Sequence, residues 1–112
     1  MLVPKKGFII DLGCSHGLLA NYLGLTSETR EILGVEINEN KIKFANIGIR
    51  NTKFKKGDIT KIDIPQTDCI IFTHVLHHLL TYKDQEILLR FCYDKLKSGG
   101  ILIICEIDET PK

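Results

Sequence analysis

The chain has 112 residues, which fits one domain and leaves no room for a second. Its composition, 44% hydrophobic and 26% charged, excludes a disordered chain, and a formal net charge of +1 with Lys and Arg spread from Lys5 to Lys112 excludes a footprint that demands nucleic acid. The longest apolar runs, Ile70 to Phe72 and Ile101 to Cys105, are far short of the ~18 residues of a membrane span, and no signal-peptide pattern opens the chain, so no membrane partner and a cytoplasmic location are expected.

Phe8-Ile9-Ile10-Asp11-Leu12 is an apolar run closed by Gly13, the pattern of a strand buried on both faces. From about His16 the spacing becomes helical, with Leu19, Tyr22 and Leu23 on one side and Gly24 where a helix end is expected. Ile32 to Glu36 reads as a second buried strand. Asn38 is placed to cap a helix whose inner face carries Ile42, Ala45 and Ile49. Thr52 to Lys55 is a weak third strand, Asp68 to Thr73 a strong fourth, and Ile101 to Ile107 a strong fifth. Between the last two, Leu88, Leu89, Cys92 and Leu96 recur at helical spacing until Ser98-Gly99-Gly100 ends the helix. Strands alternating with helices predict one doubly wound α/β domain over residues 1–112, with a mostly parallel sheet and ligands beyond the strand carboxyl ends.

The cysteines at 14, 69, 92 and 105 form neither a CxxC pair nor a short disulfide framework and read as reduced thiols. Cys69, Cys92 and Cys105 lie in apolar stretches and are expected in the core, whereas Cys14 stands in a glycine-containing turn. No Cys/His spacing suits a metal.

Chemistry concentrates in Asp11-Leu12-Gly13-Cys14-Ser15-His16-Gly17, where an acid ends a buried strand and small residues follow at alternate positions. Such a turn exposes backbone N–H groups that could receive a carboxylate, although a strand-to-helix turn with no ligand would show the same positions. A dinucleotide fingerprint would require glycine at 15 and 18, where Ser15 and Leu18 stand, and no P-loop ending is present. The remaining pattern, Asp-x-Gly-x-Ser-x-Gly, resembles the first motif of class I S-adenosylmethionine-dependent methyltransferases, with Ser15 in place of the middle glycine.

The resemblance implies a Rossmann-like five-stranded sheet of order 3-2-1-4-5, with the last two strands of the family fold lacking from this chain. It implies S-adenosylmethionine as cofactor, held by Asp11, Gly13, Cys14, Ser15, His16 and Gly17 in the turn, His16 through its backbone. Glu36, ending the second strand, would accept from the ribose hydroxyls, and Ile37 would pack on adenine. Asp58 would accept from the exocyclic amine and Ile59 would offer its N–H; taken locally, Asp58 reads equally well as a turn residue or helix cap. Thr73, ending the fourth strand, completes the set. The segment Leu76-His77-His78-Leu79 resembles that of family members acting on small molecules, and the Asn-Pro-Pro-Tyr of adenine and glutamine methyltransferases is absent. If the small-molecule acceptor must lose a proton, His74, His77 and His78 are the candidate bases; a histidine in a loop is more often a packing residue. A non-catalytic cofactor-binding module or partner subunit is the alternative, and a homodimer through the fifth-strand edge is a further expectation.

Overall fold

The computed structural model describes residues 3–73 and 81–105. In chain order the elements are β1 (Gly7–Leu12), α1 (Leu18–Thr26), β2 (Arg30–Glu36), α2 (Glu39–Ala45), β3 (Thr52–Lys56), β4 (Thr67–Thr73), α3 (Tyr82–Lys95) and β5 (Leu96–Cys105). They build a five-stranded sheet of order β3-β2-β1-β4-β5, and each neighbouring pair is parallel. This is the expected sheet order.

Alternation along the central strands feeds two cores, because successive side chains leave a strand on opposite faces. Ile10 and Leu12 point with Val35, Ile70 and Phe72 toward Leu88 and Cys92 of α3. Ile9 points with Ile32, Cys69 and Ile71 toward Ala20 and Leu23 of α1. Each Leu or Ile so enclosed contributes about 1.5–3 kcal/mol relative to an exposed position. Uninterrupted hydrophobicity in the sequence therefore corresponds to helices on both faces of the sheet. Below the sheet, buried Arg30 donates to the Leu23 carbonyl at 3.0 Å and the Pro4 carbonyl at 2.7 Å, tying the N-terminal segment to the end of α1.

Several sequence expectations need correction. The first helix opens at Leu18 rather than His16, and Gly24 lies inside it, not at its end. A Cβ at Gly24 would stand 1.9 Å from Thr52 Oγ1, so the glycine lets α1 lie against the start of β3. Asn38 does cap α2, its Oδ1 accepting from Asn40 N at 3.0 Å and Lys41 N at 3.3 Å, but the helix ends at Ala45 and Ile49 falls outside it. The fifth strand begins at Leu96, five residues early. Thr67 is opposite Leu96 while Cys69 is opposite Ile101, so Ser98-Gly99-Gly100 forms a bulge within the strand, with Gly99 at φ +79. Cys105 is exposed rather than buried, because β5 is an edge strand; Cys14, Cys69 and Cys92 are buried. Ile107 lies outside the described residues.

Gly24→Ala should therefore destabilise the domain by about 1–3 kcal/mol through overpacking against Thr52, despite alanine's better helix propensity. Urea unfolding of the two proteins checks this; a more stable variant would mean that α1 can move away from β3 at little cost.

Candidate functional site

The carboxyl ends of β1, β2 and β3 open into a cleft of about 850 Å³ lined by residues of their following turns. The turn after β1 is pinned to β2: Val35 O accepts from Gly13 N at 2.8 Å and from Cys14 N at 2.9 Å. Gly13, Ser15 and Gly17 all adopt left-handed backbone, at φ 76, 55 and 80. This explains the alternation of small residues physically, since L side chains avoid that region. Ser15 occupies it without glycine's freedom.

A carboxylate holds Ser15 there. Glu36, 8% exposed, accepts from Ser15 N through Oε1 at 2.9 Å and from Asn38 N through Oε2 at 3.0 Å. Its main-chain carbonyl accepts from Gly57 N at 3.0 Å, which brings in the turn after β3. Between these turns Gly34 keeps the wall thin, since a Cβ there would meet Phe54 at 2.6 Å and Cys14 Sγ at 2.9 Å.

Asp11 is 1% exposed, and its Oδ1 is buried with no hydrogen-bond partner. Burial first, and the negative charge of Glu36 second, push its carboxyl up to about 7. The Cys14 thiol is pushed up to about 12 by burial and then by Asp11 and Glu36, so it stays protonated and unreactive. Asp58 is different. Its Oδ1 accepts from Thr60 Oγ1 at 2.6 Å and Thr60 N at 2.9 Å, and these bonds hold the carboxyl below its usual range. Asp58 thus builds its own turn, and its second oxygen is left for other donors.

Asp11, Gly13, Cys14, Ser15, His16, Glu36, Ile37, Asp58, Ile59 and Thr73 all line this one cleft. Gly17 does not. It is a packing glycine, where a Cβ would stand 2.5 Å from that of Ala45, and it draws the start of α1 against α2. The side chain of His16 packs within the chain: its ring meets Phe44 edge to face at 5.3 Å, and its Nδ1 lies 3.4 Å from Ser15 Oγ. Ile37 is 60% exposed at the mouth, and Thr73 Oγ1 is a second buried polar atom without a partner. Leu18, Leu19, Lys41, Gly57 and Thr60 also line the cleft and were given no cofactor role from the sequence. For Gly57 and Thr60 the flanking positions of Asp58 were a usable signal; for Lys41 there was none. His74, His77 and His78 lie outside the described residues. Among the described residues, no cluster of His, Cys, Asp or Glu could hold a metal, and no helix is long and apolar enough to cross a membrane.

Comparison with known proteins gives this geometry a context. A family model described as a methyltransferase domain matches residues 10–104. The chain is 30% identical over 109 residues to a carboxy-S-adenosyl-L-methionine synthase of Campylobacter curvus, covering 94% of this chain and 46% of that protein. It is 29% identical over 119 residues to phosphoethanolamine N-methyltransferase 3 of Arabidopsis thaliana, covering 100% of this chain and 24% of the relative. The chain thus spans about half or less of the length of these relatives. Among solved structures, coclaurine N-methyltransferase bound to N-methylheliamine and SAH superimposes with a TM-score of 0.82 at 20% identity, covering 91% of this chain and 31% of that one, a likeness of fold.

The Asp11 carboxyl makes the domain's stability depend on pH. Its pKa is raised in the folded chain, so the folded state keeps a proton that the unfolded state gives up near 4. Stability is greatest below that value and falls as pH rises to about 7. Asp11→Asn should remove this loss, on the order of 4 kcal/mol over the whole range, and be the more stable protein at pH 8. Urea melts at pH 5 and pH 8 check it; equal slopes for both proteins would contradict it.

Proposed function

Because this chain belongs to the methyltransferase domain family, we propose that its cleft binds S-adenosylmethionine and serves methyl transfer to a small-molecule acceptor. The observation that carries this is Asp11, a buried acid with an unpartnered oxygen at the head of a cleft whose other two strand ends present Glu36 and Asp58. A buried polar atom without a partner is costly, and a cationic donor would relieve that cost. Three acids at successive strand ends suit a ligand that carries an ammonium, two hydroxyls and an aromatic amine.

When bound, the cofactor supplies a methyl group already activated by its sulfonium, so alignment and exclusion of water suffice for in-line displacement. The residues of this chain then divide the binding. Asp11 receives the ammonium, with the Thr73 hydroxyl as a neighbouring polar group on the cleft wall. Gly13, Cys14, Ser15 and His16 form the turn against the amino-acid part. Glu36 accepts from the ribose with the lone pairs that Ser15 and Asn38 leave free. Ile37 and Ile59 give apolar contact to the adenine, with Asp58 accepting from its amine. His74, His77 and His78 are proposed as proton acceptors for the methyl acceptor. Lys41, at the same wall, adds a cation that no other part of this scheme uses.

Titration of S-adenosylhomocysteine into the chain should give micromolar binding, weakened about tenfold or more by Asp11→Asn through loss of a charged hydrogen bond. Affinity should rise between pH 5 and 7 as Asp11 gives up its proton, with proton release visible in buffers of different ionisation enthalpy. A folded chain that binds nothing would contradict the proposal. Binding without turnover in a small-molecule acceptor screen would assign a binding module instead. Since one relative is named as a synthase of carboxy-S-adenosyl-L-methionine, mass spectrometry should follow the cofactor as well as the acceptors.

A further inference from the structure

Building on the cofactor reading above, we propose that Glu36 is also a positioning residue: its carboxylate and carbonyl set the three turns of the cleft relative to one another before any ligand arrives. Its hydrogen bonds are distributed over all three turns. Oε1 takes the Ser15 N–H of the turn after β1, Oε2 takes the Asn38 N–H of the turn after β2, and the main-chain oxygen takes the Gly57 N–H of the turn after β3. Among the described residues, no other hydrogen-bonds to all three turns.

One of these bonds bears on a conformation that needs support, and another on a residue that caps a helix. Ser15 is the described non-glycine residue with positive φ, at 55, and its N–H is the group that Glu36 grips. Asn38 must hold an extended backbone, φ −86 and ψ 112, for its side chain to cap α2. Glu36 fixes that residue from the opposite side through its N–H. The Glu36 side that accepts these bonds is 8% exposed, while their donors Ser15 and Asn38 lie nearer solvent.

The carboxylate is required because both gripped groups are donors. Glutamine offers one oxygen and one NH2, and the NH2 would confront either Ser15 N–H or Asn38 N–H. Glutamine has nearly the same size but changes the ribose contact as well, so the bracing role is read from Glu36→Gln in the cofactor-free chain, where no ligand contact contributes. Ser15→Gly supplies the complementary test, since glycine holds φ near 55 without a brace.

In the cofactor-free chain, amide hydrogen exchange at Ser15 and Asn38 should quicken about tenfold or more in Glu36→Gln, while exchange in β4 and α3 stays at the wild-type rate and reports retained folding. Affinity for S-adenosylhomocysteine should fall about a hundredfold in Glu36→Gln, and adding Ser15→Gly should recover about tenfold. Unchanged exchange at Ser15 and Asn38, or a double variant that binds no better than Glu36→Gln, would overturn the positioning role and leave Glu36 as a ligand contact. If the wild-type chain binds no S-adenosylhomocysteine, the cofactor reading fails, and the exchange rates of the cofactor-free proteins still decide the brace.

Discussion

The geometry of the cleft depends on one buried carboxylate accepting two backbone N–H groups from different turns. Parallel strands deliver their carboxyl ends to one edge of the sheet, but the edge alone does not say how the loops beyond it are arranged. Glu36 supplies that information, linking the left-handed Ser15 turn to the cap of α2, while its carbonyl holds the turn that carries Asp58. Around this hub, glycines act by what they leave out: Gly34 makes room for Cys14 and Phe54, and Gly17 lets α1 and α2 approach.

The same arrangement places two acids close together in a poorly solvated site. Glu36 has its hydrogen bonds, whereas Asp11 has an oxygen without a partner, and the two effects that raise its pKa are burial and Glu36 itself. A fold selected for stability alone would gain by an apolar residue at position 11, since a buried charge is tolerated only when paired. At the head of the cleft, this unpartnered oxygen is the feature on which the proposed binding of a cationic group rests.

Much of this was legible in the sequence because the fold rests on simple periodicities. Runs such as Ile9-Ile10 and Ile70-Ile71-Phe72 are apolar on both sides, as strands covered on both faces are, and the acids ending three strands stood out against them. Other features were not legible, because they depend on what packs where. Gly24 carries the same local signal whether it ends a helix or makes room for Thr52. Ser98-Gly99-Gly100 can stop a helix or bulge a strand, and the outcome was decided by pairing with Thr67 and Cys69, about thirty residues earlier in the chain. Cys105 looked like core because its neighbours are apolar, but an edge strand leaves it exposed. Glu36 stood out as a candidate from its place at a strand end, while its grip on Ser15 and Asn38 was invisible without coordinates.

The most direct test of the account is a backbone amide map of the chain by NMR during titration with S-adenosylhomocysteine. The account predicts shifts concentrated at Gly13 to Gly17, Glu36 to Asn38 and Gly57 to Thr60, with α3 and β5 unaffected. Shifts centred on α3, or spread evenly over the sheet with those three turns silent, would contradict it.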